Sequence, residues 1–175
     1  MLSVVSFFWL CIVLFAIVGW MRGWAKELLV SFSAILALGL NFILRRYIPI
    51  VQNLPEDDVT LFWVRSIIMI VMVYFGYQTV FSIPHLSSKA ARERLQDTLF
   101  GGILGAFNGY LIVGSILYWM HVADYPFPEF ISKPTDEVMS TVTTMMTYMP
   151  PTLLGEPGIY FAIILAFIFV LIVYI

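Results

Sequence analysis

This chain carries very little charge. Only 11% of its 175 residues are Asp, Glu, Lys or Arg, while 61% are hydrophobic. A soluble domain carries roughly a quarter charged residues and about half apolar ones. So few charges cannot cover a water-exposed surface, which argues against a soluble catalytic domain and leaves lipid as the alternative solvent. Cysteine is scarcer still. Cys11 stands alone, so an intrachain disulfide and a cysteine zinc site are both excluded. It lies inside the first apolar run and is expected to pack there as a small hydrophobe. No Lys or Arg precedes Arg22 and no A-x-A pattern follows the first run, so Val4–Trp20 reads as a retained helix and not as a signal peptide. No basic stripe is present to neutralise phosphates, so nucleic acid is not an expected partner. A phosphate-binding glycine loop, a His-Glu metal helix and a nucleophile constellation are likewise missing, and no catalytic, cofactor-binding or metal-binding residue is expected.

What is present is a set of long charge-free runs: Met1–Met21, Leu28–Leu44, Ser66–Pro84, Thr98–Ala123 and Pro157–Ile175. A helix needs about 17–25 apolar residues to cross the hydrocarbon core, and all five runs qualify, Leu28–Leu44 at the short limit. In lipid the backbone must satisfy its own hydrogen bonds, so these runs are predicted helices. They lack the alternation of a lipid-facing barrel strand. The expected fold is therefore all-α, a polytopic membrane helix bundle with about five transmembrane helices and one interfacial helix.

The connections differ in length. Met21–Glu27 is a tight turn, Arg45–Asp58 contains two prolines, His85–Gln96 clusters Lys89, Arg92, Glu93 and Arg94, and Asp124–Glu156 is the longest. Orientation follows the excess of Lys and Arg in cytoplasmic loops. Arg22, Lys26, Lys89, Arg92 and Arg94 fall on one face of the membrane, and Arg45, Arg46, Lys133 and Arg65 on the other. Five against four places the amino terminus and the long loop outside, and the carboxyl terminus in the cytoplasm. Within the long loop Thr135–Met149 reads as a short amphipathic helix. Thr135 is its expected N-cap, Asp136 and Glu137 suit the positive end of the dipole, and Val138, Val142, Met145 and Met149 share a face. At the bilayer surface such a helix would bury its methionines among headgroups, and Pro150-Pro151 would end it.

Two local patterns stand out. Gly101, Gly105 and Gly109 fall four apart and so line one face of a helix, where small residues let a neighbouring backbone approach closely. Asp97 is expected to cap the amino end of that helix. The second pattern is Gly19-Trp-Met-Arg22-Gly23-Trp24-Ala-Lys-Glu27. Gly23 can adopt the left-handed conformation that closes a helix, Arg22 complements the negative end of the dipole, and Trp20 and Trp24 suit the aromatic belt.

Together these patterns resemble the signatures of the colicin V production protein family (CvpA-type membrane proteins). The turn is similar to that family's G-x-x-[RK]-G-[FW]-x-x-[EQ] motif, carried here by Gly19, Arg22, Gly23, Trp24 and Glu27. The segment from Asp97 is similar to its aspartate followed by glycines at the same intervals. The resemblance covers about Met1–Ala123. It implies a four-helix membrane domain over residues 1–123, to which an extracytoplasmic loop at 124–157 and a fifth transmembrane helix at 158–175 would be added. It also implies a bacterial plasma membrane protein linked to peptide export or envelope maintenance, with no established catalysis in this region. The chain departs from the family in two places: Leu2-Ser3-Val4 stands where many members have an acid, and Asn108 where many have a basic residue.

Other ligands are not expected. His85 and His121 end successive antiparallel helices, roughly 30 Å apart, and cannot jointly hold a haem; each reads as an interfacial anchor. Met139, Met145, Met146 and Met149 have no Cys or His nearby to complete a Cu(I) site. The leading expectation is a non-enzymatic scaffold or accessory protein, whose partners are the lipid bilayer and other membrane-protein helices in a homo- or hetero-oligomer. A dedicated subunit of a larger photosynthetic or respiratory complex is one alternative, motivated by the all-round apolar Tyr160–Ile175. A small transporter or oligomeric channel is the other. It is disfavoured because the spans hold essentially no ionisable residue except Arg65, near one edge.

Overall fold

Among the described residues, the long charge-free runs are almost wholly helical. The computed structural model describes residues 3–78, 91–129, 131 and 133–174, and among them the regular structure is entirely helical. The elements are α1 (Val4–Arg22), α2 (Trp24–Tyr47), the single turn α3 (Pro49–Gln52), α4 (Val59–Gln78), α5 (Ala91–Val122), α6 (Asp136–Thr147), the single turn α7 (Pro150–Leu153) and α8 (Gly158–Tyr174). Four of them, α1, α2, α4 and residues Leu95–Val122 of α5, are long and apolar enough to cross a membrane, and α8 is a shorter apolar helix. The molecule is a helical membrane bundle.

Helix α2 is its centre. It packs against α4, α5 and α8, while α1 lies chiefly on α5. The run that is shortest in the sequence is thus the most enclosed: 56% of the span in α2 is buried, against 17% in α1. Protein neighbours on several sides let α2 carry Ser31 and Asn41 among Ala34, Ile35, Ala37 and Leu38. By contrast α1 turns Trp9, Val13, Leu14 and Ile17 outward, as a lipid-facing helix must. α8 lies antiparallel along α2, with Glu156 near Arg46, Ile163 against Gly39 and Phe167 beside Phe32. Its 17 residues therefore flank α2 from the Arg46 end past Phe32.

Several boundaries differ from those expected. α5 begins at Ala91, not near Asp97, so Asp97 sits inside a helix and does not cap it. With 32 residues, α5 is about 48 Å long and exceeds the roughly 30 Å hydrocarbon core. Thr135 does occupy the N-cap position of α6 but makes no side-chain capping bond. Pro150 and Pro151 open α7 after Thr147 has closed α6, because proline at a first helical position loses only an N–H that had no partner. The apolar face of α6 is divided, with Val138 exposed and Met145 half-buried. Val142, Met146 and Met149 are buried in the protein core, and Met149 and Pro150 reach α5 at Gly114, where a Cβ would stand 2.9 Å from the Met149 sulfur. The Tyr110 hydroxyl donates to the Tyr148 carbonyl at 2.5 Å and ties the same segment down.

After α5 the chain reverses through Asp124 and Tyr125, both at positive φ (53° and 59°), with the Tyr125 N–H donating to the Met120 carbonyl. Tyr125 is buried under the half-buried His121, its hydroxyl 3.0 Å from Nδ1. Burial raises the Tyr125 phenol to about 12. His85 lies outside the described residues.

Candidate functional site

The turn between α1 and α2 is a single residue. Gly23 has φ 86° and ψ 158°, a region that L side chains rarely adopt and which is not the left-handed helical one. This conformation turns α2 back within one residue, and so places Arg22 and Glu27 on the same side of the break. Glu27 lies in the first turn of α2 with none of its surface exposed. The Arg22 guanidinium donates to its Oε1 at 2.8 Å, and the Asn108 amide on α5 donates to its Oε2 at 2.8 Å. The second amide hydrogen of Asn108 goes to the Glu27 carbonyl at 2.9 Å. The Ser31 hydroxyl donates to the Asn108 Oδ1 at 2.6 Å. Arg22 also stacks over the Tyr77 ring of α4, 4.2 Å from its centroid. Four helices thus meet at one carboxylate.

A fully buried carboxylate thus stands one residue before the apolar run that begins at Leu28. The sequence places Glu27 in a polar turn, because the charges of Arg22, Lys26 and Glu27 adjoin; the one-residue break at Gly23 instead puts the glutamate inside. Ser31 and Tyr77 were not among the expected residues. Ser31 could have been found from its spacing, four after Glu27 and hence on the same helix face. Tyr77 is brought in by α4, and nothing local in the sequence marks it.

The two motifs, some seventy residues apart, form one structure. The Asp97 carboxylate accepts the Trp24 backbone N–H at 3.1 Å. It therefore satisfies the amino end of α2, and not of its own helix. It lies directly over Gly23, where a Cβ would come within 2.8 Å of Oδ1. The small-residue seam continues from there along α1. A Cβ on Gly101 would strike the Gly19 carbonyl, one on Gly105 would strike the Phe15 carbonyl and stand 2.9 Å from the Gly19 Cα, and one on Gly109 would stand 2.9 Å from the Phe15 Cβ. The face of Gly101, Gly105 and Gly109 is therefore occupied within the chain, by α1. Arg22, Gly23, Trp24 and Glu27 are locked by Asp97, Gly101 and Asn108, and sequence order alone does not show that they meet.

A bundle of apolar helices long enough to cross a membrane, closed around a buried polar cluster, is an integral membrane protein. The family model for colicin V production protein matches residues 6–135, and the chain belongs to that family. The match runs past α5 into the segment before α6. No curated protein and no solved structure matches the chain. Position 108, one of the two departures from the family pattern, faces the Glu27 carboxylate and supplies a neutral amide there.

Proposed function

We propose that this protein is a non-enzymatic scaffold or accessory protein of the bacterial plasma membrane, working through contact with lipid and with other membrane-protein helices in export or envelope maintenance. The observation that carries this reading is the division of its polar and apolar surfaces. Both oxygens of Glu27 are bonded within the chain, to Arg22 and Asn108, whereas the outer faces of α1, α4 and α8 expose large side chains such as Leu14, Ile70 and Leu165. A conducting pathway needs polar groups available to a passing ion; here the buried carboxylate is bonded to Arg22 and Asn108. Because Gly101, Gly105 and Gly109 are covered by α1, partners would be met on those outer faces. Gentle solubilisation followed by identification of co-purifying chains tests the proposal. A reproducible membrane partner or homo-oligomer supports it, and ion or solute flux by the purified chain in vesicles would overturn it.

For orientation, we propose that the amino terminus and α6 face outward. In a Cys11→Ser background, Thr143→Cys should react with an impermeant thiol reagent in intact cells and Gln96→Cys should not. The reverse pattern would overturn the assignment.

A further inference from the structure

At the far end of α2, eighteen residues and about 27 Å from Glu27, three guanidinium groups surround a cavity of about 580 Å3. Arg45 and Arg46 come from the last turn of α2, and Arg65 from the second turn of α4. The wall behind them is apolar and aromatic, with Phe42, Tyr118 and Trp119. The volume is that of a small-molecule site. A cavity that joins guanidinium groups to an aromatic wall at a membrane face suits a ligand with one anionic end and one apolar end.

The position of the anion is marked by Glu56. Its Oε1 lies 2.8 Å from the Arg45 Nη2 and its Oε2 lies 3.0 Å from the Arg65 Nη2. Two guanidinium groups from different helices therefore grip opposite oxygens of one carboxylate, a geometry that a phosphate diester reproduces with its two unesterified oxygens. The grip is unequal in burial: the Arg65 side chain is 14% exposed and Glu56 58%. Glu56 stands in the connection between α3 and α4, so a short loop movement would free both arginines while they keep their places on the helices. Glu156 is held separately, by Arg46 at 3.0 Å and by the Tyr160 hydroxyl at 2.8 Å. Three guanidinium groups against two carboxylates leave an excess of one positive charge in the cavity lining.

We propose that this cavity binds an anionic phospholipid, its phosphate between Arg45 and Arg65 and its glycerol and upper acyl carbons against Phe42, Tyr118 and Trp119, with Glu56 holding the anion position when the lipid is away. The sign of one substitution separates this from a purely structural ion pair. Glu56→Gln removes an internal competitor and raises retention of anionic lipid, whereas a structural role predicts unchanged or lower retention. Native mass spectrometry of the full chain, titrated with phosphatidylglycerol, phosphatidylcholine of the same acyl chains, or inorganic phosphate, reads the outcome. Both lipids offer the phosphate diester to Arg45 and Arg65, but the choline cation of phosphatidylcholine would meet the excess positive charge of the lining. The parent should therefore retain phosphatidylglycerol about tenfold better, the size of one close charge interaction. Arg65→Gln and Arg45→Gln should reduce that ratio towards one, and Glu56→Gln should increase it. A gain in Glu56→Gln that is abolished when Arg65→Gln is added belongs to this cavity and not to misfolding, so the Glu56 arm remains decisive. Equal retention of the two lipids by the parent, or loss of retention in Glu56→Gln, would overturn the proposal. Binding of inorganic phosphate that displaces the lipid completely at equal concentration would assign the site to a soluble anion and overturn the lipid reading.

Discussion

Asn108 on α5 gives both hydrogens of its side-chain amide to Glu27 on α2, one to Oε2 at 2.8 Å and one to the main-chain carbonyl at 2.9 Å. The residues are 81 positions apart in sequence and both are wholly buried. One amide thus neutralises part of a carboxylate's hydrogen-bonding demand and also the Glu27 carbonyl, which Ser31 approaches at 3.2 Å. Asn108→Leu would leave a buried charged oxygen short of a donor and should cost about 3 kcal/mol. Asn108→Asp, of nearly the same shape, should be at least as damaging because two carboxylates would face each other. Asn108→Lys should be tolerated best of the three, since it supplies a donor and a charge of the right sign. Unfolding of the purified chain in mixed micelles gives the order. If Asn108→Asp is as stable as the parent, the carboxylate does not control this site.

The seam between α1 and α5 should discriminate between adjacent glycines. Gly105→Ala would push a methyl group into the Phe15 carbonyl and towards the Gly19 Cα, backbone atoms that cannot yield, and should destabilise by about 1–3 kcal/mol. Gly102 is three residues earlier, and a Cβ there would meet nothing closer than the Ala16 carbonyl at 3.6 Å. Gly102→Ala should therefore be neutral or stabilising by up to about 1 kcal/mol, because alanine is the better helix former. Phe107→Leu, at an exposed position that stacks on Tyr110, should change stability little. Equal effects for Gly105→Ala and Gly102→Ala would show that backbone proximity is not limiting.

The Gly23 turn depends on Asp97 as well as on backbone freedom. Gly23→Ala forces a side chain into a strained conformation and against the Asp97 carboxylate, and a loss of about 2 kcal/mol or more is expected. Asp97→Ala removes the acceptor from the Trp24 N–H, for an expected loss of about 1 kcal/mol, and Asp97→Asn should restore most of it. Amide hydrogen exchange at Trp24 would report the cap directly. No change in exchange for Asp97→Ala would count against it.

Acid should loosen the junction of α2 and α8. The hydrogen bond from Tyr160, and then the ion pair with Arg46, hold the Glu156 carboxyl below its usual range. A carboxylate lowered in this way contributes stability above its ordinary pKa, and loses that contribution as pH falls through the lowered value. Between about pH 6 and about pH 3 the parent should therefore lose stability that Glu156→Gln does not lose. The site is exposed, so high salt should shrink the difference. Parallel curves for the two proteins would remove Glu156 from the acid response.

Ser66 offers a test in the stabilising direction. Its hydroxyl is buried on α4 and has no hydrogen-bond partner among the described residues. Ser66→Ala should raise stability by about 1 kcal/mol, the desolvation cost of the unpaired hydroxyl. A loss of similar size would mean that the hydroxyl has a partner.

By itself the sequence determined that this protein crosses a membrane as helices. The absence of charge from Met1–Met21 or Thr98–Ala123 leaves no other way to satisfy their backbones. It also determined that α5 carries a close-contact face, because three glycines four apart must align on a helix. Only the tertiary structure decided what meets that face, what Asp97 caps, and where Glu27 lies. Each of these depends on which helices are neighbours and at what height, and local pattern carries no information about either. Gly23 turns α2 in one residue, and α5 runs beside both α1 and α2. That arrangement carries Glu27 from an expected surface turn into the interior and supplies Asn108 and Arg22 to hold it there. The same physics explains α6: its methionine face was legible as apolar, but lipid and protein interior attract such a face alike, and the fold took Val142 and Met146 into protein while leaving Val138 exposed.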